Sequence, residues 1–119
     1  MTGRAVAAAN THVAANEAAI IQELRELLAL PNVATDLDDI RRNATALVAR
    51  MERRGIAARI LETPGAPVAV YGELSTPGAV RTLLFYAHFD GPPPGRPGSW
   101  ATPPFEPVLR PGRLEDGAP

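Results

Sequence analysis

The chain has 119 residues, 12 Arg and no Lys against 13 Asp plus Glu, 13 Pro, 10 Gly and no Cys, with a formal net charge of −1. This is the size of one small domain or a piece of one. The counts exclude disulfide scaffolds, Cys-ligated zinc ribbons, thiol nucleophiles, phosphate-loop lysines and Schiff-base lysines, and the charge argues against nucleic acid as a partner.

No apolar run approaches the roughly 18 residues of a membrane span. The Ala-rich start is interrupted by Asn10, His12, Asn16 and Glu17, where a secretory core would be apolar. The expected location is cytoplasmic, with no membrane partner. Residues 1–14 read as a flexible leader. From Ala15 to Leu30, Ile20, Ile21, Leu24, Leu27 and Leu28 recur at helical spacing, with Glu23, Arg25 and Glu26 on the other face. Pro31 stops that helix. A second one is predicted from Thr35 or Asp36 to Arg54, with Asp38 and Asp39 in its first turn and Leu37, Ile40, Ala44, Leu47, Val48 and Met51 as its stripe. Arg50, Arg53 and Arg54 suit the negative end of the helix dipole, and Gly55 suits a left-handed cap.

Beyond Gly55 the pattern turns extended. Ile56–Glu62 and Pro67–Leu74 read as two strands joined at Thr63-Pro64-Gly65-Ala66. A turn at Ser75–Gly78 leads into Arg81–Ala87, a continuous apolar run predicted to be a central strand buried on both faces. Nine of the 13 prolines then fall between Pro92 and Pro119, so residues 91–119 read as a Pro-rich loop, with Trp100, Phe105, Val108 and Leu109 able to pack. The fold class expected is α/β: two N-terminal helices, then strands of a mixed sheet and the Pro-rich loop.

Ser75 and Ser99 sit in no Gly-x-Ser-x-Gly turn, which leaves serine hydrolase chemistry without a nucleophile. The informative feature is His88-x-Asp90 at the C-terminal end of the apolar run, because open α/β sheets place ligands beyond the carboxyl ends of their strands. A neutral imidazole is a good zinc ligand, and a carboxylate two residues on can accept its other ring proton. The same two residues also fit a strand-end histidine beside a solvated carboxylate.

The order Tyr86-Ala87-His88-Phe89-Asp90-Gly91, Pro93, Trp100, Pro104-Phe105-Glu106-Pro107 and Arg110-Pro111-Gly112-Arg113-Leu114 resembles the cocatalytic zinc hydrolase family. That family includes carnosine dipeptidase, aminoacylase, acetylornithine deacetylase and succinyl-diaminopimelate desuccinylase, and the likeness is closest to the dipeptidase branch. The helix ending at Leu30-Pro31, the helix closing on Arg54-Gly55 and the two strands after it look like the family's opening. The resemblance implies that residues 15–119 are the N-terminal part of a zinc-peptidase catalytic domain, with His88 the first metal ligand and Asp90 the catalytic-site aspartate that orients it. It implies two zinc ions per complete active site, about 3.5 to 4 Å apart, with at most one ligand present here. Manganese or cobalt substitute at such sites. The implied reaction is attack of metal-activated water on the amide bond of a small peptide or an N-acyl amino acid.

The family's bridging aspartate, its Glu-Glu pair, its two further ligands and its lid and dimerisation domain have no counterpart, so this chain alone is expected to be catalytically silent. Glu115 and Asp116 fall too early for the bridging position and read as a solvated acidic turn. Asp36, Asp38 and Asp39 lack the Gly and the later Glu of a calcium loop and read as helix-start carboxylates. His12 is assigned no role. Trp100 and Phe105 are expected to pack the Pro-rich loop onto the sheet. The alternatives to a hydrolase fragment are a non-enzymatic module whose Pro-rich segment is read by a partner's aromatic groove, and a degraded family remnant.

Overall fold

A computed structural model describes residues 2–118. The chain divides into two compact units, Met1–Ala29 with Ala101–Pro119 and, separately, Leu30–Trp100.

The second unit contains α2 (Leu37–Glu52), β1 (Ala57–Leu61) and β2 (Ala69–Glu73). Asp36 starts α2 from an extended backbone, and its Oδ1 accepts from the N–H groups of Asp38 at 3.1 Å and Asp39 at 3.0 Å. Two of the donors that a helix start leaves without partners are thereby satisfied. At the other end Gly55 takes φ 75°, the left-handed conformation that ends helices cheaply only without a Cβ. β1 and β2 pair antiparallel, Ala57 opposite Glu73 and Leu61 opposite Ala69. Their connection turns on Gly65 at φ 75°, with Ala66 N–H donating to the Thr63 carbonyl. The end of α2 lies close on this hairpin: a Cβ at Gly72 would come within 2.8 Å of Met51 Sδ and 3.0 Å of Ile56 Cγ2. Ile40 and Ala44 on α2 are the buried apolar residues, with Asp39 and Asn43 buried beside them. Both polar groups have partners. Asn43 Nδ2 donates to the carbonyls of Pro31 at 2.6 Å and Asp39 at 3.0 Å, and the Asp39 carboxylate accepts from Arg42.

The predicted central strand does not form. Arg81–Ala87 runs without regular secondary structure, and Val80, Leu83, Leu84, Phe85 and Tyr86 are 77–93% exposed. An apolar sequence sets the preference for a buried strand, but a strand also needs a neighbour. The neighbour found is Val33, which makes an isolated parallel bridge with Gly91. The next bond of that ladder would run from the Asn32 N–H to the Phe89 carbonyl, and the Asn32 side-chain amide donates to that carbonyl instead. The sheet is therefore a two-stranded antiparallel one, not the mixed sheet expected.

In the first unit, α1 runs Thr2–Leu28 and so takes in the residues read as a leader. The apolar period begins only near Ile20, but Ala5, Ala7, Ala8, Ala9, Ala14 and Ala15 favour helix without any tertiary contact. Ile21 and Leu27 are half-buried while Ile20, Leu24 and Leu28 stay exposed. Residues 101–118 carry one short 3₁₀ turn, Leu114–Asp116, closed by Gly117 at φ 80°. Phe105 adopts φ 64°, a strained conformation for a bulky side chain. It lines an open groove of about 350 Å³ with Gln22, Arg25 and Glu26 of α1.

The chain exposes 9784 Å². Two separate compact bodies of these lengths would together expose roughly 7,400 Å². The exposed stretches include residues 3–20 of α1 and residues 71–88.

Candidate functional site

The extended backbone of residues 86–90 places alternate side chains on one face, and this brings Tyr86, His88 and Asp90 together. His88 Nδ1 lies 2.9 Å from Asp90 Oδ1, and the Tyr86 hydroxyl lies 3.2 Å from His88 Nε2. The two rings meet edge to face with centroids 5.4 Å apart. An ionised carboxylate only accepts, so Nδ1 carries the ring proton and donates it to Asp90. In the neutral imidazole Nε2 then holds the lone pair and accepts from the Tyr86 O–H. The donation from His88 also holds the Asp90 carboxyl below its ordinary range, with burial opposing the shift. The site is open: the His88 and Asp90 side chains are 71% and 43% exposed.

The backbone here is held at one end. Gly91 N–H donates to the Asn32 carbonyl, Ala34 N–H to the Gly91 carbonyl, and Asn32 Nδ2 to the Phe89 carbonyl, each at 2.9 Å. Asn32 and Tyr86 are the neighbours that sequence reasoning missed. The spacing of Tyr86 two residues before His88 on an extended segment was a usable signal. Asn32, 57 positions from Phe89, offered none.

Among the described residues there is no group of three or more His, Cys, Asp or Glu able to hold a metal ion. His12 lies on α1, where the Asn16 side chain donates to its carbonyl at 2.8 Å. Glu115 and Asp116 sit in the 3₁₀ turn, and Asp36 is a helix cap, in the roles expected of them. Arg50 and Arg54 donate to carbonyls of α2 itself, Ala46 and Arg50. The structure gives Trp100 and Phe105 other partners than the sheet expected for them. Trp100 Nε1–H donates to the Pro94 carbonyl at 2.5 Å within its own loop, and Phe105 meets α1.

Compared with protein-family models, curated proteins and solved structures, the chain matches none of them.

Proposed function

We propose that the chain is an amino-terminal portion of a zinc-dependent dipeptidase or amidohydrolase of the cocatalytic zinc hydrolase family, with His88 a metal ligand and Asp90 the carboxylate that orients it. The observation that carries this reading is the 2.9 Å contact between Asp90 Oδ1 and His88 Nδ1, which leaves the lone pair on Nε2. This is the arrangement in which a carboxylate fixes the tautomer of a metal-bound imidazole and raises its basicity. The donor set fits one ligand of such a centre and not a complete one, so further donors have to come from outside the described residues. When bound, the metal supplies Lewis-acid polarisation of an amide carbonyl and an acidified water. The chain's own part is to hold the ring proton on Nδ1 and to offer the Nε2 lone pair, from which a metal would displace the Tyr86 hydroxyl. The unpaired apolar run Val80–Tyr86, ending at His88, also supports the reading, since it has the character of an inner strand whose neighbours lie elsewhere. The substrate class is a small peptide or N-acyl amino acid, and the complete protein would dimerise through a separate lid domain. The chain alone would be silent. A free polyproline ligand is disfavoured by the donation from Trp100 to Pro94, which folds that loop onto itself.

The test is the native protein from its source, captured with an antibody against Ile20–Arg54. The expected product is several times larger than 12.6 kDa, contains zinc, hydrolyses dipeptides, and loses metal and activity together in His88→Ala. A 12.6 kDa product, or a larger one whose metal and turnover survive His88→Ala, overturns the proposal.

A further inference from the structure

We infer that Asn32 is a positioning residue for the His88–Asp90 pair, fixing the backbone on both sides of Asp90 so that its carboxylate stays on Nδ1 of the imidazole. The functional importance of the pair rests on the reading proposed above; its placement by Asn32 does not. The pair needs such support. It is a largely exposed side-chain hydrogen bond at the end of a segment, Val80–His88, that makes no backbone hydrogen bonds among the described residues. A bond of that kind gains little against water and against the entropy of a free backbone unless the backbone is already held.

Three hydrogen bonds supply the hold. Asn32 Nδ2 donates to the Phe89 carbonyl, the Asn32 carbonyl accepts from Gly91 N–H, and Ala34 N–H donates to the Gly91 carbonyl. The first two fix the peptide planes immediately before and after Asp90. Asn32 is itself anchored. The carbonyl of Pro31 accepts from Asn43 Nδ2 at 2.6 Å, and Asn43 is 3% exposed on α2. The close approach of the Asn32 amide also accounts for a glycine at position 91. A Cβ there would stand 3.3 Å from Asn32 Oδ1 and 3.4 Å from Nδ2, so a larger residue pushes on the amide. Aspartate, nearly the same shape as asparagine, would lack the donor that the Phe89 carbonyl requires.

The experiment uses the chain labelled with ¹⁵N and the variants Asn32→Ala, Asn32→Asp and Gly91→Ala, with Asp90→Asn as the reference for a broken pair. Two readouts are taken at neutral pH: the ring nitrogen shifts of His88 and the exchange rate of the Gly91 amide. In both Asn32 variants the His88 Nδ1 shift should move toward its Asp90→Asn value although neither His88 nor Asp90 has changed. Gly91 exchange should speed up about twofold to tenfold, the effect of one ordinary hydrogen bond. Gly91→Ala should move the ring shifts the same way with Asn32 intact. Should Asn32→Ala fail to fold, Asn32→Asp and Gly91→Ala decide. Unchanged His88 shifts with a faster Gly91 amide would reduce Asn32 to a loop staple and overturn the inference, as would unchanged exchange. Neither readout involves metal or hydrolysis, so a metal-free native protein would refute the proposed function and leave the role of Asn32 standing.

Discussion

Replacing Leu84 and Phe85 together by Glu tests whether the open apolar run is what makes this chain seek a partner. On extended backbone Leu84 and Tyr86 point to one face and Leu83 and Phe85 to the other, and all four are at least 77% exposed. Fully burying such a side chain stabilises by about 1.5–3 kcal/mol, so covering four-fifths of each gains about 2.5–5 kcal/mol per face and about 5–10 for both. Association costs about 4–15 kcal/mol before any gain appears. One covered face is therefore too little, and two faces with backbone pairing leave only a small surplus. The chain should self-associate weakly, visibly in sedimentation velocity between tens and hundreds of micromolar. The double substitution removes one large side chain from each face, about 2.5–5 kcal/mol in all, which weakens association about a hundredfold or more. A wild-type chain that stays monomeric over the whole range and unfolds in one sharp transition would refute the reasoning, as would equal association of the double variant.

Asp36→Ala removes the cap that accepts from Asp38 and Asp39; it should cost about 1 kcal/mol and lower the melting temperature by roughly 4–8 °C, whereas Asp36→Asn should melt like the wild type. Asn43→Ala deprives the Pro31 carbonyl of its donor at a buried position and should cost about 1–3 kcal/mol in denaturant unfolding; an unchanged midpoint would remove Asn43 from the core. Arg41 Nη1 donates to Glu62 Oε1 at 2.9 Å and holds that carboxyl below its ordinary range. A folded value below the unfolded one means that the pair's contribution is complete above the unfolded value and fades as pH falls through the folded one; side-chain NMR titration should place the Glu62 midpoint low in the wild type and back in the ordinary range in Arg41→Ala. In the complete enzyme proposed here, Asp90→Asn should lower turnover about tenfold to a hundredfold with little change in substrate affinity, and full turnover at normal metal content would end the orienting role of Asp90.

The sequence was most informative where local chemistry decides the outcome. Asp36 before an apolar stripe, Gly55 after it, and Gly65 and Gly78 in their turns are signals whose physical cause lies within a few residues, and the structure places each as expected at φ values or hydrogen bonds that require them. The hairpin was legible for the same reason. Two readings failed because they depended on what is not local. The alanines before Ile20 carry no periodicity, so a helix driven by propensity alone looked like a leader. Arg81–Ala87 has the continuous apolar composition of a buried strand, but pairing is a property of two segments and one segment cannot report it. At the site, His88 and Asp90 were found from spacing, whereas Asn32 acts across 57 positions of sequence through a backbone carbonyl that any residue at position 89 would present.

The two halves of the extended segment differ because order enters it from one end only. From Asn43 on α2 a polar path runs through the Pro31 carbonyl to Asn32 and on to Phe89 and Gly91. All of it lies within one compact unit, and it starts from the buried side chain of Asn43. The path ends on either side of Asp90, because the Phe89 carbonyl is taken by the Asn32 side chain rather than by a backbone N–H that would carry the parallel ladder further. Upstream of His88 the backbone has donors and acceptors on both edges, a low charge and no proline from Gly78 to Gly91, the features that make an uncovered strand sticky. A neighbour pairing along Val80–Ala87 would meet a segment whose C-terminal end is already set in register by Val33 and Gly91. Such a neighbour would begin its ladder beside His88, so the open apolar run and the imidazole share one edge of the segment.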